Sequence, residues 1–197
     1  MSYSYRRGTM NYLEIFSQED YENNKNFKGT FVVKGKISIV FSNKAIVYAL
    51  DCVKIKAYDS VKVTAIDKAE VLAFNNAKVT VFDKVQVFAS GNAIIKAYNN
   101  SNIHASDNVV VYSFDNSKIE ITDNVKVIAV DNSKVVATGN ARIDASNSVR
   151  VEAYNTVKVD ARDVVKVKTF DRVILFACDT VGIHASNTVS ITTYHKY

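Results

Sequence analysis

From about residue 29 to residue 194, apolar and polar positions alternate, and the alternation restarts every eight residues, as in VKIKAYDS and VKVTAIDK at residues 53–68. With octad positions labelled a to h from Val53, positions a, c and e are apolar and b and d are mostly polar. Position c is Val or Ile from Ile39 to Ile191, with Leu175 as the exception. Position e is mostly Ala, and position g is Asp, Asn or Gly from Gly35 to Asn187. A period of two is the signature of a strand with one buried face. The branched side chains at c favour strands and disfavour helices. Each octad therefore predicts a strand of about five residues and a turn of about three. The residue types at g are those that tolerate positive φ, which places the turn there.

A fixed period that runs through most of a chain predicts a repeat architecture. Short strands and short uniform turns suit an all-β solenoid of about 21 octads, in which a, c and e fill a narrow core. The f column bears on coil size. Steps of sixteen from Leu50 give Leu50, Ile66, Phe82, Tyr98, Phe114 and Val130, all large. The interleaved column runs Tyr58, Phe74, then Ser90, Ser106, Thr122 and Thr138. Large residues fall on large and small on small, which favours two octads per coil. A three-sided β-helix with 24 residues per coil stays open as the alternative. About ten coils would make a rod about 50 Å long.

Residues 1–28 lie outside the repeat and are read as an N-terminal cap, with residues 29–197 as the solenoid. Ser17 is placed to N-cap a short helix through Asp20, with Leu13, Ile15, Phe16 and Tyr21 covering the first coil. At the other end Tyr194-His195-Lys196-Tyr197 follows a complete octad with no cap sequence. The last coil could stack on a second copy to form a homodimer; terminal residues folded over the edge would instead leave a monomer.

Composition narrows the functional classes. Of 197 residues, 48% are hydrophobic, which excludes a disordered chain. Pro is absent, as suits continuous ladders in which every N–H is needed. The net charge of +5 permits an anionic partner without demanding one. No apolar run reaches the length of a membrane span, and no signal-peptide core follows Arg6 and Arg7. Cys52 and Cys178 are too far apart in a rod to bridge and read as free thiols of a reducing compartment, so a cytoplasmic location is expected. His104 and His184 share position d ten octads apart, beyond shared metal ligation. No nucleophile triad, phosphate loop or zinc motif appears. The Asp column differs from calcium-binding nonapeptides in period and lacks their paired glycines. No catalytic residue, cofactor or metal site is expected, and the chain is not read as an enzyme.

Function is then sought at the outward positions b and d. Position b is basic through Lys118, Lys126, Lys134, Arg142, Arg150, Lys158 and Lys166. With two octads per coil, Lys118, Lys134, Arg150 and Lys166 form one stripe. Glu120, Asp144, Glu152 and Asp160 at d are expected to neutralise much of this charge, so a solvated face is the plainer reading and direct nucleic-acid binding the lesser one. Outward apolar residues form three groups: Leu72 with Phe88 beside His104, Ile94 with Val110 and Tyr112 and with Ile128 beside them, and Ile174 with Phe176. They read either as a protein contact or as cross-strand pairing. Thr64 and Thr80 begin an array of the kind that binds ice, but charged residues interrupt it.

Octads such as VKAYDS-like VEAYNT and IKAYNN resemble the tandem octapeptide repeats of uncharacterised bacterial and phage proteins expected to be β-solenoids. The resemblance spans residues 29–194. It implies fold and carries over no functional residue. Two functions are expected on these grounds. One is a rigid interaction module that binds and blocks or scaffolds a protein or ribonucleoprotein complex, for example a phage-encoded inhibitor of a host defence system such as CRISPR. The other is a self-associating filament or virion component.

Overall fold

The computed structural model describes residues 4–7, 10–178, 180–185 and 189–194. It is a β-solenoid of about 11 turns with roughly 16 residues in each. The sixteen-residue coil is therefore the correct one, and the 24-residue alternative is excluded. Each coil contributes one strand to each of two parallel sheets. Among the described residues the long sheet has 13 strands and the short sheet 10.

The chain enters with β1 (Ser4–Arg7), β2 (Met10–Ile15), α1 (Gln18–Asn24), β3 (Thr30–Val33) and β4 (Ser38–Phe41). Strands then alternate between the sheets from β5 (Ile46–Ala49) to β23 (Ser190–Tyr194). Most strands are four residues long, covering b to e rather than the five expected. Position a, though buried, already belongs to the corner. Successive strands of one sheet pair in register at a spacing of sixteen, as Val87 does with Val71 and Ile103. Identical positions therefore stack in columns: c upon c, d upon d. The core is a stack of Val, Ile and Ala, including Val71, Val87, Ile95, Ile103 and Ala97, each burying apolar surface worth up to about 1.5–3 kcal/mol for the larger residues.

Position g does have positive φ, from Asn43 at 65° through Asp107 at 59° to Asp171 at 64°, with Gly35, Gly91 and Gly139 in the same region. Turn geometry explains why small polar residues and Gly fill this position. A second cause lies between coils. The N–H groups at b, f and h donate to carbonyls of the coil below, as Tyr58 does to Phe41 and Ser60 to Asn43, each at 3.0 Å. The N–H at g is instead bonded by the carboxylate of the next g residue in the column. Gly91 N–H donates to Asp107 Oδ2 at 2.8 Å, and Asn99 N–H to Asp115 Oδ2 at 3.0 Å. Where Asn follows Asp the bond reverses, with Asn99 Nδ2 donating to Asp83 Oδ1 at 3.1 Å. The hydrogen-bond ladder thus runs through the corners as well as the sheets, and the Asp column has a structural task on both counts.

The N-terminal segment stacks on this rod. β2 pairs in parallel with β3, and β1 closes onto β2 in antiparallel fashion, an extra rung not foreseen from the sequence. The helix α1 occupies the rung beside β4. Ser17 is its N-cap, accepting from Asp20 N–H at 3.0 Å. The Gln18 side-chain amide accepts from Val40 N–H at 2.8 Å and donates to Val40 C=O at 3.2 Å, so it pairs with the edge of β4 as a strand would. Tyr21 packs against Phe31 and Phe41 with ring centroids at 5.3 and 4.4 Å. Leu13, Ile15 and Tyr21 are buried as expected, but Phe16 is 52% exposed. It precedes the N-cap and points away from the apolar plug, so it is not part of the cover. Lys34 bonds Glu14 at 2.8 Å, and that hydrogen bond raises the Lys34 pKa above its usual value.

Candidate binding face

The short sheet presents three outward columns. At b stand Lys54, Glu70, Gln86, Asn102, Lys118, Lys134, Arg150 and Lys166. At d stand Lys56, Leu72, Phe88, His104, Glu120, Val136, Glu152 and Lys168. At f, on the shoulder of the turn, stand Tyr58, Phe74, Ser90, Ser106, Thr122, Thr138, Tyr154 and Phe170. The register therefore brings Leu72, Phe88 and His104 together. Phe88 and His104 stack with centroids 5.0 Å apart and planes 11° apart.

The f column is broken in the middle. Tyr58 stacks on Phe74 at 4.8 Å, and Tyr154 on Phe170 at 4.6 Å. Between the two stacks lie four coils with only Ser or Thr at f. The missing bulk leaves a groove of about 450 Å³. Its wall is the d column from Phe88 to Val136, its floor includes Ala89, Ala105 and Ile121, and Phe74 closes one end. Ala89 and Ala105 are 6% exposed, whereas Ala57 and Ala73 beneath the Tyr58–Phe74 stack are fully covered. This groove was visible in the sequence only as a run of small residues in one column. There the run bears on coil size and does not mark a site.

The basic stripe keeps more of its charge than the sequence suggested. Glu120 is drawn to His104, with 3.2 Å from its carboxylate to Nδ1. Glu152 pairs with Lys134 at 3.5 Å. Lys118, Arg150 and Lys166 have no ion pair among the described residues. On the long sheet, Arg142 approaches Asp144 at 3.8 Å and Asp160 pairs with Arg162 at 3.4 Å. Counting carboxylates by octad missed this division, because the two octads of a coil face opposite sides. Half of the four acids named lie on the far sheet.

The other apolar groups also assemble, on the long sheet. Ile94 is in register with Val110, and Tyr112 with Ile128. Ile174 and Phe176 neighbour Lys158 and Asp160, and the Lys158 ammonium lies 4.9 Å from the Phe176 ring centre. That cation covers part of the third group. Thr64 and Thr80 are in register but are followed in their column by Lys96. Beside the Ile94–Val110–Tyr112 group the f column on this side is filled by Phe82, Tyr98, Phe114 and Val130.

His104 and His184 occupy the same column five coils apart. Cys52 is exposed and Cys178 partly so, and both are free. Among the described residues no group of three or more His, Cys, Asp or Glu is arranged to hold a metal. No described helix is long and apolar enough to cross a membrane. His195 and Lys196, and with them the closing edge of the last coil, lie outside the described residues. No family model, no curated protein and no solved structure matches the chain.

Proposed function

We propose that the protein is a non-enzymatic binding scaffold whose short sheet engages a protein partner, alone or within a larger complex, and blocks or positions it. One observation carries this reading: the groove, the Leu72–Phe88 ridge and three cations with no ion pair among the described residues share a single face. Interfaces draw their affinity from apolar anchors seated in pockets, with charge at the rim to steer and select the partner. A continuous hydrogen-bonded rod presents such groups with little ordering cost on binding.

Photo-crosslinking tests the assignment. A benzophenone side chain at Val136 on the short sheet is compared with one at Thr80 on the long sheet, in lysate of the source cells. A discrete adduct from position 136 alone, lost when Lys118, Arg150 and Lys166 are changed to Glu, is the expected result. Equal labelling from both positions, or none from 136, would sink the short-sheet reading.

A further inference from the structure

The break in the f column has the form of an aromatic stack with rungs left out. Phe74 is covered on one side by Tyr58, and the coil on its other side offers only Ser90. The stack resumes at Tyr154 beyond Thr138. The gap spans four rungs, roughly 20 Å along the rod at the usual strand spacing. The hydroxyls of Ser90 and Ser106 make no hydrogen bond among the described residues. Backbone pairing is unchanged through the gap: Ser90 N–H donates to Ala73 C=O at 2.9 Å and Ser106 N–H to Ala89 C=O at 3.0 Å. The slot is therefore a property of side-chain choice, laid over a backbone that elsewhere holds Tyr or Phe at the same position.

The geometry points to an anchor pocket for aromatic side chains carried on an acidic segment of a partner protein. This rests on the short sheet being the binding face. A planar ring set on the Ser90 rung would continue the Phe74 stack, lie over the partly uncovered Ala89 and Ala105 methyls, and meet the Phe88–His104 pair at its side. The volume of about 450 Å³ admits more than one ring. Charge selects the flanking residues. Lys118 stands on a groove coil, and Arg150 and Lys166 on the next two coils beyond Val136 and Thr138; none has a carboxylate partner among the described residues, and they suit carboxylates that flank an aromatic residue. A nucleic-acid strand fits less well. Glu120 lines the groove beside His104, and Glu152 lies one coil beyond it beside Lys134, so an unbroken phosphate chain along this face would meet both carboxylates. The Phe88 and His104 faces are spent on each other, so no series of open ring faces awaits successive bases.

The test uses the full chain with Ala and Thr methyls labelled for NMR. The probes are acetyl-Asp-Phe-Asp-Phe-Asp-amide, the same peptide with Ala for Phe, and a short oligothymidine. The Phe peptide is expected to cause saturable ring-current shifts at the methyls of Ala89, Ala105, Thr122 and Thr138, with binding about tenfold weaker for the Ala peptide. The double variant Ser90→Phe/Ser106→Phe fills the slot. It should fold, because another coil already combines a large d residue, Tyr112, with a large f residue, Phe114. It should keep or raise the melting temperature and abolish the shifts. Shifts that survive in the filled variant, an equal response to the Ala peptide, a stronger response to oligothymidine, or no shift at millimolar Phe peptide would each overturn the pocket. Crosslinking at Val136 with no peptide response would remove the pocket and leave the short-sheet reading intact. Failure of both would remove the face itself.

Discussion

The two f columns of the solenoid are built on the same turn and differ only in what stands there. After the long-sheet strands the column runs Leu50, Ile66, Phe82, Tyr98, Phe114 and Val130 without a break before it reaches Ser146 and Arg162. Phe82, Tyr98 and Phe114 stack in succession, at 5.0 and 4.7 Å. Beneath them Val81, Ala97 and Ser113 are fully covered. After the short-sheet strands the column has Ser42, then the rings of Tyr58 and Phe74, drops to hydroxyls for four coils and returns to rings at Tyr154 and Phe170. The corner hydrogen bonds are the same on both sides, such as Phe114 N–H to Ala97 C=O at 2.9 Å and Thr122 N–H to Ala105 C=O at 3.0 Å. A repeat backbone is thus indifferent to f, and the difference between the columns is information that folding does not require.

The largest effect should be the one that ignores this comparison. Ile103 lies behind the groove and Ile95 behind the filled column, and both are fully or almost fully buried. Ile103→Ala and Ile95→Ala should each cost about 2–5 kcal/mol, through lost burial and the cavity left behind. Because each coil touches only its neighbours, local amide exchange reads the cost better than a global transition. Similar losses at the two sites would show one common core. A much smaller loss at Ile103 would mean that the groove already loosens the coils beneath it.

Opening the filled column is the next largest. Tyr98→Ser removes ring contacts with both Phe82 and Phe114 and should cost about 1–3 kcal/mol, given the usual worth of an aromatic pair. Urea denaturation would show it as an earlier midpoint. A loss below about 0.5 kcal/mol would show that the stacks add nothing beyond covering the floor, and the missing rungs opposite would then lose their meaning as a broken stack.

How far the sequence anticipates the structure follows from the same columns. Inward positions are constrained by packing and g by backbone conformation, so Val, Ala and Asp recur often enough to be read directly, as Val71, Ala73 and Asp59 are. The coil size followed because f residues of like size stack. The ion pairs did not follow. Whether Glu120 turns to Lys118 or to His104 depends on side-chain reach across a rung, and octad spacing is silent on that. The hydroxyls of Ser101, Ser117 and Ser133 at core position a are another case. They are buried and donate to the f carbonyls three residues back, Ser101 to Tyr98 at 2.6 Å and Ser117 to Phe114 at 2.7 Å, so a polar residue enters the core already satisfied.

The corner carboxylates offer a smaller, symmetrical test. Asp107→Ala lies on the groove side and Asp115→Ala on the filled side. Each removes the acceptor for a neighbouring g N–H and places a residue with lower tolerance at positive φ. Each should cost about 1–2 kcal/mol. Asp107→Gly restores the conformational freedom and should recover part of the loss, leaving the missing hydrogen bond as the remainder. If Gly is no better than Ala in thermal denaturation, the inter-coil bond is the whole role of the Asp column and turn preference is secondary.

The smallest expected effect on stability belongs to the cations of the short sheet. Lys118, Lys134, Arg150 and Lys166 are consecutive partners in one register column. Like charges placed directly opposite across strands oppose pairing. Among the described residues only Lys134 is relieved by a carboxylate, and that pair is too exposed to contribute more than about 0.5 kcal/mol. On the long sheet, by contrast, Arg142 has Asp144 beside it and Lys158 has the Phe176 ring. Arg150→Gln should therefore leave stability unchanged or raise it by about 0.2–0.5 kcal/mol, with the gain shrinking as salt screens the column. Denaturation at low and high ionic strength checks both the sign and the salt dependence. A loss of more than about 1 kcal/mol would make Arg150 a structural residue and weaken its assignment to a partner. A gain would mean that this column keeps charges at some expense to the fold, on the face where the stack of rings is also left incomplete.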